Sequence, residues 1–117
     1  MAILRALLVP FLGATLFGAT SVNAETRGFV LVNSTGAAIE QLAIRRVGTQ
    51  DWKSLAGAPG AGSRAPIDFA DPDCAFDIKA SVPGKGPVTW AGVNLCEVES
   101  VVLKRDEQAG AWVDYDE

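Results

Sequence analysis

The 117-residue chain contains no histidine. That absence removes the usual general base of nucleophilic hydrolases and the commonest ligand of zinc and copper sites. Basic residues are also scarce, with 10 Lys and Arg against 14 Asp and Glu. An acidic domain lacks the phosphate-neutralising patch that drives nucleic-acid or anionic-membrane binding, so neither is expected as a partner. No stretch holds a helical period, which argues against a helical fold. There is no internal repeat, and no low-complexity tract beyond one glycine-rich loop. Only two cysteines are present, Cys74 and Cys96.

What is there begins with "MAILRALLVPFLGATLFGATSVNA". One basic residue, Arg5, precedes an uncharged run from Ala6 to Ala24, with small residues at Val22 and Ala24. This reads as a secretory signal peptide, residues 1–24, cleaved after Ala24. The alternative is an uncleaved anchor, but Pro10, Gly13, Gly18, Thr20, Ser21 and Asn23 dilute the apolar run. No twin arginine precedes the run, and no cysteine follows the cleavage point to take a lipid. Residues 25–117 then form one exported domain, periplasmic or extracellular, monomeric, and without stable membrane insertion after cleavage. Arg5 leaves with the signal, so nine basic residues face fourteen acidic ones, a net charge of −5. An even cysteine count in an oxidising compartment predicts a Cys74–Cys96 disulfide rather than two buried thiols. Closing that loop stabilises the fold by roughly 3 kcal/mol.

Strand signals dominate the remainder. "RGFVLVN" is β-branched and aromatic and ends in "NSTG", a turn sequence. In "IEQLAIRRV", Leu42 and Ile44 share one face and Ala43 and Arg45 the other. "GTQDWKSLAGAPGAGSRAP" reads as a long loop that plugs Trp52 and Leu55 back into the core. "RAPIDFA" places Ile67 and Phe69 on one face. "CAFDIKASV" alternates cleanly, with Phe76, Ile78, Ala80 and Val82 inward and Asp77, Lys79 and Ser81 outward. The turn "PGKG" joins it to "PVTWAGVNLC", which runs back and brings Cys96 to Cys74. "VESVVLKR" and "AGAWVDYDE" make a last hairpin whose final strand is an acidic edge. About seven short strands predict an all-β fold, a small antiparallel β-sandwich with one disulfide, with a small barrel as the alternative.

The order "FVLVNSTGAAIEQL", "DWKSL", "CAFDIKA", "VNLCE" and a final "VVL" resembles a family of small exported bacterial proteins without an assigned activity. The likeness spans nearly all of residues 25–117 and implies a secreted β-rich domain. Two labels carried by members, "Tat pathway signal protein" and "argininosuccinate lyase", do not fit. The twin arginine is absent, and a lyase of that kind is a large helical tetramer that so short a chain cannot supply.

Carboxylates remain as candidate chemistry. Asp68, Asp71 and Asp73 crowd "DFADPD" and supply oxygens of the kind calcium prefers, although the spacing is not that of an EF-hand and Pro72 suits a plain turn. No other cofactor is expected. Asp77 faces solvent on its strand or accepts hydrogen bonds from a neighbouring loop. Asp73 and Glu97 are the candidates for a small carboxylate-dependent hydrolase, which needs a cleft wide enough for a sugar ring. Trp52 and Trp112 are candidate glycan-stacking residues, set against the commoner role of tryptophan in a small core. "NST" at Asn33 is formally a glycosylation acceptor. The preferred expectation is a non-catalytic binding or structural domain that recognises a protein or glycan through the loops Gly48–Arg64 and Asp68–Asp73. An inhibitor offering the long loop to an enzyme is a further reading.

Overall fold

The computed structural model describes residues 26–96 and 98–116; the expected signal peptide and Glu97 lie outside the described residues. The chain forms β1 (Thr26–Ser34), β2 (Glu40–Arg46), β3 (Lys53–Ser54), β4 (Arg64–Asp71), β5 (Ala75–Val82), β6 (Gly86–Asn94), β7 (Ser100–Asp106) and β8 (Gly110–Asp116). Among the described residues there is no helix. Two four-stranded sheets pack face to face, one in the order β4-β1-β7-β8, the other β3-β2-β5-β6. The protein is an all-β sandwich with one disulfide, Cys74–Cys96, whose Cα atoms lie 5.2 Å apart.

The period-2 pattern accounts for the core. Phe29 and Leu31 on β1, Leu42 and Ile44 on β2, and Phe76, Ile78, Ala80 and Val82 on β5 all turn inward and are buried. Val101 and Leu103 complete the layer from β7. Trp90 is fully buried, and its indole N–H donates to the Lys104 carbonyl at 2.8 Å, tying β6 to β7 across the sandwich. Leu55 packs against this cluster as expected.

Three features depart from the sequence reading. The first sheet is mixed, because β1 runs parallel to β7 in the register Val30↔Ser100 to Ser34↔Lys104. A parallel pair needs a long crossover, here the whole of the second sheet, so no local motif marks it. Second, the long loop contains β3, a two-residue strand paired with Ala43 and Ile44, which makes eight strands among the described residues rather than seven. Third, Trp52 is no core plug. It is half-buried on the outer face of the second sheet, beside Arg45 and Lys79.

Asn33 closes the first turn. Its side chain is fully buried, and its amide donates to the carbonyls of Ala37 at 2.8 Å and Pro59 at 3.1 Å. Its Oδ1 accepts the Thr35 amide at 3.1 Å and the Thr35 hydroxyl at 2.7 Å. The backbone adds two bonds to the loop, Asn33 N–H to Ser63 and Gly62 N–H to Asn33, each 2.9 Å. One residue thus holds both the "NSTG" turn and the glycine-rich loop. Its amide nitrogen is committed, so in the folded protein "NST" does not present a glycan acceptor.

The sheet margins are blunted in several ways. β4 carries Pro66 and pairs with β1 across an irregularity at Gly28, where φ is +106° and an added Cβ meets the Ile67 carbonyl at 3.3 Å. β3 is too short to template another strand, and β8 carries the exposed charge of Asp114. Such devices discourage strand addition.

Candidate functional site

Between the sheets, at the β2–β4 side, lies a cleft of about 250 Å³. Ile44, Phe69 and Phe76 form its floor, and Phe69 meets Phe76 edge-on with ring centroids 5.3 Å apart. Arg46, Thr49, Lys53 and Asp71 stand at its mouth. Arg46 ends β2 in one sheet and Asp71 ends β4 in the other, and their ion pair bridges the opening: Nη2 to Oδ1 is 2.9 Å, and Nε to Oδ1 is 3.1 Å. A two-pronged guanidinium contact of this kind fixes orientation as well as charge. Asp71 Oδ1 also accepts the Asp73 amide at 2.8 Å, and Asp73 Oδ1 accepts the Cys74 amide at 2.9 Å. The turn therefore runs from the ion pair straight into the disulfide.

This geometry places the three aspartates of "DFADPD". Asp71 and Asp73 share Arg46, which lies 3.9 Å from Asp73. Asp68 is exposed, one residue out of phase with the inward Ile67 and Phe69, on the opposite face of β4. The three do not converge, and no group of three or more Cys, Asp or Glu among the described residues is placed to hold a metal ion. Asp71 instead serves as the acceptor hub of a turn and the anchor of an arginine.

Burial works against ionisation of Asp71, but the Asp73 amide and the Arg46 guanidinium outweigh it, with Lys53 adding to the effect, and hold the carboxyl below its usual range. Asp106 is lowered by the amides of Ala109 and Gln108, and Glu107 by its hydrogen bond and ion pair with Lys85. Each of these depressed carboxylates stabilises the fold above the unfolded value near 4, and that contribution is lost as pH falls through the folded value. No histidine titrates higher up. Thermal midpoints are therefore expected to stay level from about pH 5 to 8 and to fall steeply below about pH 4. Asp71→Asn should flatten that acid limb, a difference visible in melts followed by circular dichroism.

A second ion pair lies on the outer face of the second sheet. Asp77 is only 6% exposed, although it sits in an outward position of β5. Its Oδ2 accepts Arg45 Nε at 2.9 Å, and its Oδ1 accepts the Gly92 amide at 3.0 Å. Gly92, at φ +66°, belongs to the register shift between β5 and β6, so the carboxylate satisfies an amide that the bulge leaves out of the ladder. Of the two roles weighed for Asp77, hydrogen-bond acceptor is the observed one, with the partners on strands. Arg45 lies 4.5 Å from the Trp52 ring centroid, and Lys79 lies 4.2 Å from it. The π surface of Trp52 is thus engaged by two cations. Asp77→Asn keeps an acceptor for Gly92 but turns an N–H toward Arg45 Nε. It should destabilise the fold by about 2 kcal/mol and shift the Trp52 emission, as read by denaturant titration.

Trp112 is 40% exposed on the outer face of β8, opposite Lys104. Trp52 and Trp112 therefore lie on different sheets and form no common platform. Sequence reasoning missed Arg45 and Arg46. The signal was present in the doubled arginine ending a strand of an acidic chain.

No protein family and no curated protein matches the chain. Among solved structures, one of a protein from Eubacterium rectale, determined by NMR, is similar, with 16% identity over 86% of this chain and 96% of that one and a TM-score of 0.55. At that identity the likeness shows the fold alone.

Proposed function

We propose that the chain is exported, loses residues 1–24, and serves outside the cytoplasm as a non-catalytic binding or structural domain. The observation that carries the non-catalytic reading is the state of Asp71 at the cleft. Asp71, with its pKa lowered and its oxygens committed to Arg46 and the Asp73 amide, is a weak base and a poor proton donor. The opening between the sheets is closed by that ion pair rather than left free for a sugar ring. Export is supported by the apolar N-terminal run in the sequence and by a disulfide suited to an oxidising compartment. Recognition falls to the loops at the ends of the sandwich. The Gly48–Arg64 loop is held at β3, by the Leu55 amide on the Leu42 carbonyl, and by Asn33, so it presents a set shape at small ordering cost.

Purified protein should show no turnover of fluorogenic glycosides, and its melting midpoint should be the same in calcium and in chelator. Hydrolysis that disappears in Asp73→Asn would overturn the non-catalytic reading. A midpoint raised by several degrees in calcium would restore an ion to "DFADPD". Cell fractionation with N-terminal sequencing checks export: a chain in the periplasm or medium beginning at Glu25 supports it, and an intact chain in the cytoplasm defeats it.

A further inference from the structure

The lateral opening of the sandwich, between β2 with β3 on one side and β4 on the other, is built in layers. Leu42, Ile44 and Arg46 take the inward positions of β2, and Ile67, Phe69 and Asp71 those of β4. The outermost layer, Arg46 with Asp71, is bridged by its ion pair. The innermost is filled, because the Leu55 amide bonds the Leu42 carbonyl at 2.9 Å, Leu55 packs on the core, and Ile67 is buried. In the middle layer, β3 sets Lys53 beside Ile44, facing Phe69. The cleft of about 250 Å³ is the gap left there. Ile44 and Phe76 are fully buried behind it, and the half-buried Phe69 ring is its reachable apolar wall.

The charges at the mouth of this gap are set by Trp52. Arg45 and Lys79 hold its ring on the outer face of the sheet. Neighbours in an extended segment alternate sides, so Asp51 and Lys53, flanking Trp52, both turn to the cleft and line it. Thr49 steadies the approach, its amide and hydroxyl both donating to the Arg46 carbonyl, at 3.1 and 2.9 Å. Arg46 and Asp71 are spent on each other. Asp51 and Lys53 form no salt bridge or hydrogen bond among the described residues, and Lys53 acts on Asp71 only at a distance. One anion and one cation, both uncommitted, therefore flank an apolar gap.

We propose that the cleft binds a free apolar α-amino acid, its side chain against Phe69, its carboxylate on Lys53 and its ammonium on Asp51. The inference rests on the binding reading above, in which the long loop does the recognising, and it names the ligand class. An apolar cavity of about 150 Å³ accepts benzene, so the space here suits a side chain of leucine or phenylalanine size. The same walls reject a sugar, because Ile44, Phe69 and Phe76 offer its hydroxyls no partner and burying them unpaired is costly. Only a zwitterion answers both free charges. A carboxylic acid, an amine or either end of a peptide answers one, and a dianion meets Asp51 and Asp71 with no second free cation to balance it. The mouth is exposed, so each ion pair selects more than it binds, and the apolar body supplies most of the affinity. A dissociation constant on the order of 1 mM follows for so small a ligand.

The test is an amide-shift titration of the purified protein with L-phenylalanine to about 20 mM, well above the expected constant. Saturating shifts are expected at Thr49, Asp51, Lys53 and Phe69, with glycine, which lacks the apolar body, at least about tenfold weaker. 3-Phenylpropanoate and phenethylamine, each missing one charge, should bind about threefold to fivefold more weakly than L-phenylalanine. Lys53→Gln should weaken L-phenylalanine and 3-phenylpropanoate but spare phenethylamine, and Asp51→Asn should do the converse for the amine. Both positions are exposed, so circular dichroism should show either variant folded. Absence of saturable shifts overturns the inference, as do shifts on the first sheet's outer face, indifference to the two variants, or an acid or amine that binds as tightly as the zwitterion. None of these results touches the non-catalytic reading, which fails instead if the same spectra show L-phenylalanine being consumed.

Discussion

Replacing Asn33 with aspartate should be among the most damaging single-atom changes available to this protein. The side chain is 0% exposed and uses its whole hydrogen-bonding capacity: two N–H donors to the Ala37 and Pro59 carbonyls, two acceptor sites for Thr35. A carboxylate preserves shape and both acceptor bonds. It supplies no donors, so the buried Pro59 carbonyl loses its Asn33 partner, the half-buried Ala37 carbonyl keeps only the Thr35 hydroxyl, and both face a negative charge instead. A buried charge without a counter-ion costs about 3–5 kcal/mol, a large share of the total for a domain of this size. The pH dependence identifies the cause. The introduced group relieves its burial by taking a proton, and the protonated acid regains one donor, so its pKa rises in the fold. A raised folded value means that the penalty shrinks as pH falls through it, opposite in sign to the acid limb set by Asp71. Urea titrations of wild type and Asn33→Asp at pH 7 and pH 5 should show the gap narrowing at the lower pH, whereas Asn33→Ala, which cannot titrate, should keep its gap. Because the same residue holds the long loop, proteolysis within Gly57–Gly62 should accelerate in both variants.

The sequence made the strands legible wherever one face is buried and the partner is local. Phe76 to Val82 alternates because β5 lies between two strands with a packed face below it, and the hairpin to β6 follows from the turn and the two cysteines. The parallel pairing of β1 with β7 left no trace, since its register is set by side chains about seventy positions apart in the chain. The site was less readable for a related reason. Asp71 and Asp77 are ordinary turn and strand residues until Arg46 and Arg45 meet them, and those contacts span 25 and 32 positions. "DFADPD" looked like a ligand set because its aspartates are neighbours in sequence. The pleat of β4 sends Asp68 and Asp71 to opposite faces, a period-2 argument that was available from the start. Trp52 misled because a tryptophan in a loop is usually core; here the cations beside it give the ring a favourable place on the surface.

Removing the disulfide should weaken the fold by about 3 kcal/mol, through a route that separates entropy from local structure. Cys74 and Cys96 stand 22 positions apart and enclose β5, the turn and β6. Opening that loop frees the denatured chain, a loss the Cys74→Ser, Cys96→Ser double variant should show as a lower denaturant midpoint with a steeper slope, since the freed chain exposes more surface on unfolding. The local consequence is specific to this protein. Cys74 N–H caps Asp73, whose own amide caps Asp71, which in turn holds Arg46 across the cleft. Cys96 is held by its amide on Asn94 Oδ1, and the Asn94 amide by the Tyr115 hydroxyl, each at 2.9 Å. The bridge therefore joins the Asp71–Arg46 latch to the strand that meets β8. Without it, amide exchange should speed up first from Asp73 to Phe76 and from Asn94 to Cys96, while the β1–β7 ladder keeps its protection, since no bond of this chain reaches it. Asp71→Asn in the disulfide-free background should then cost less than in the wild type, because the latch it removes is already loosened. Equal costs in the two backgrounds would show that the disulfide acts on the unfolded chain alone and that the cleft stands independently of it.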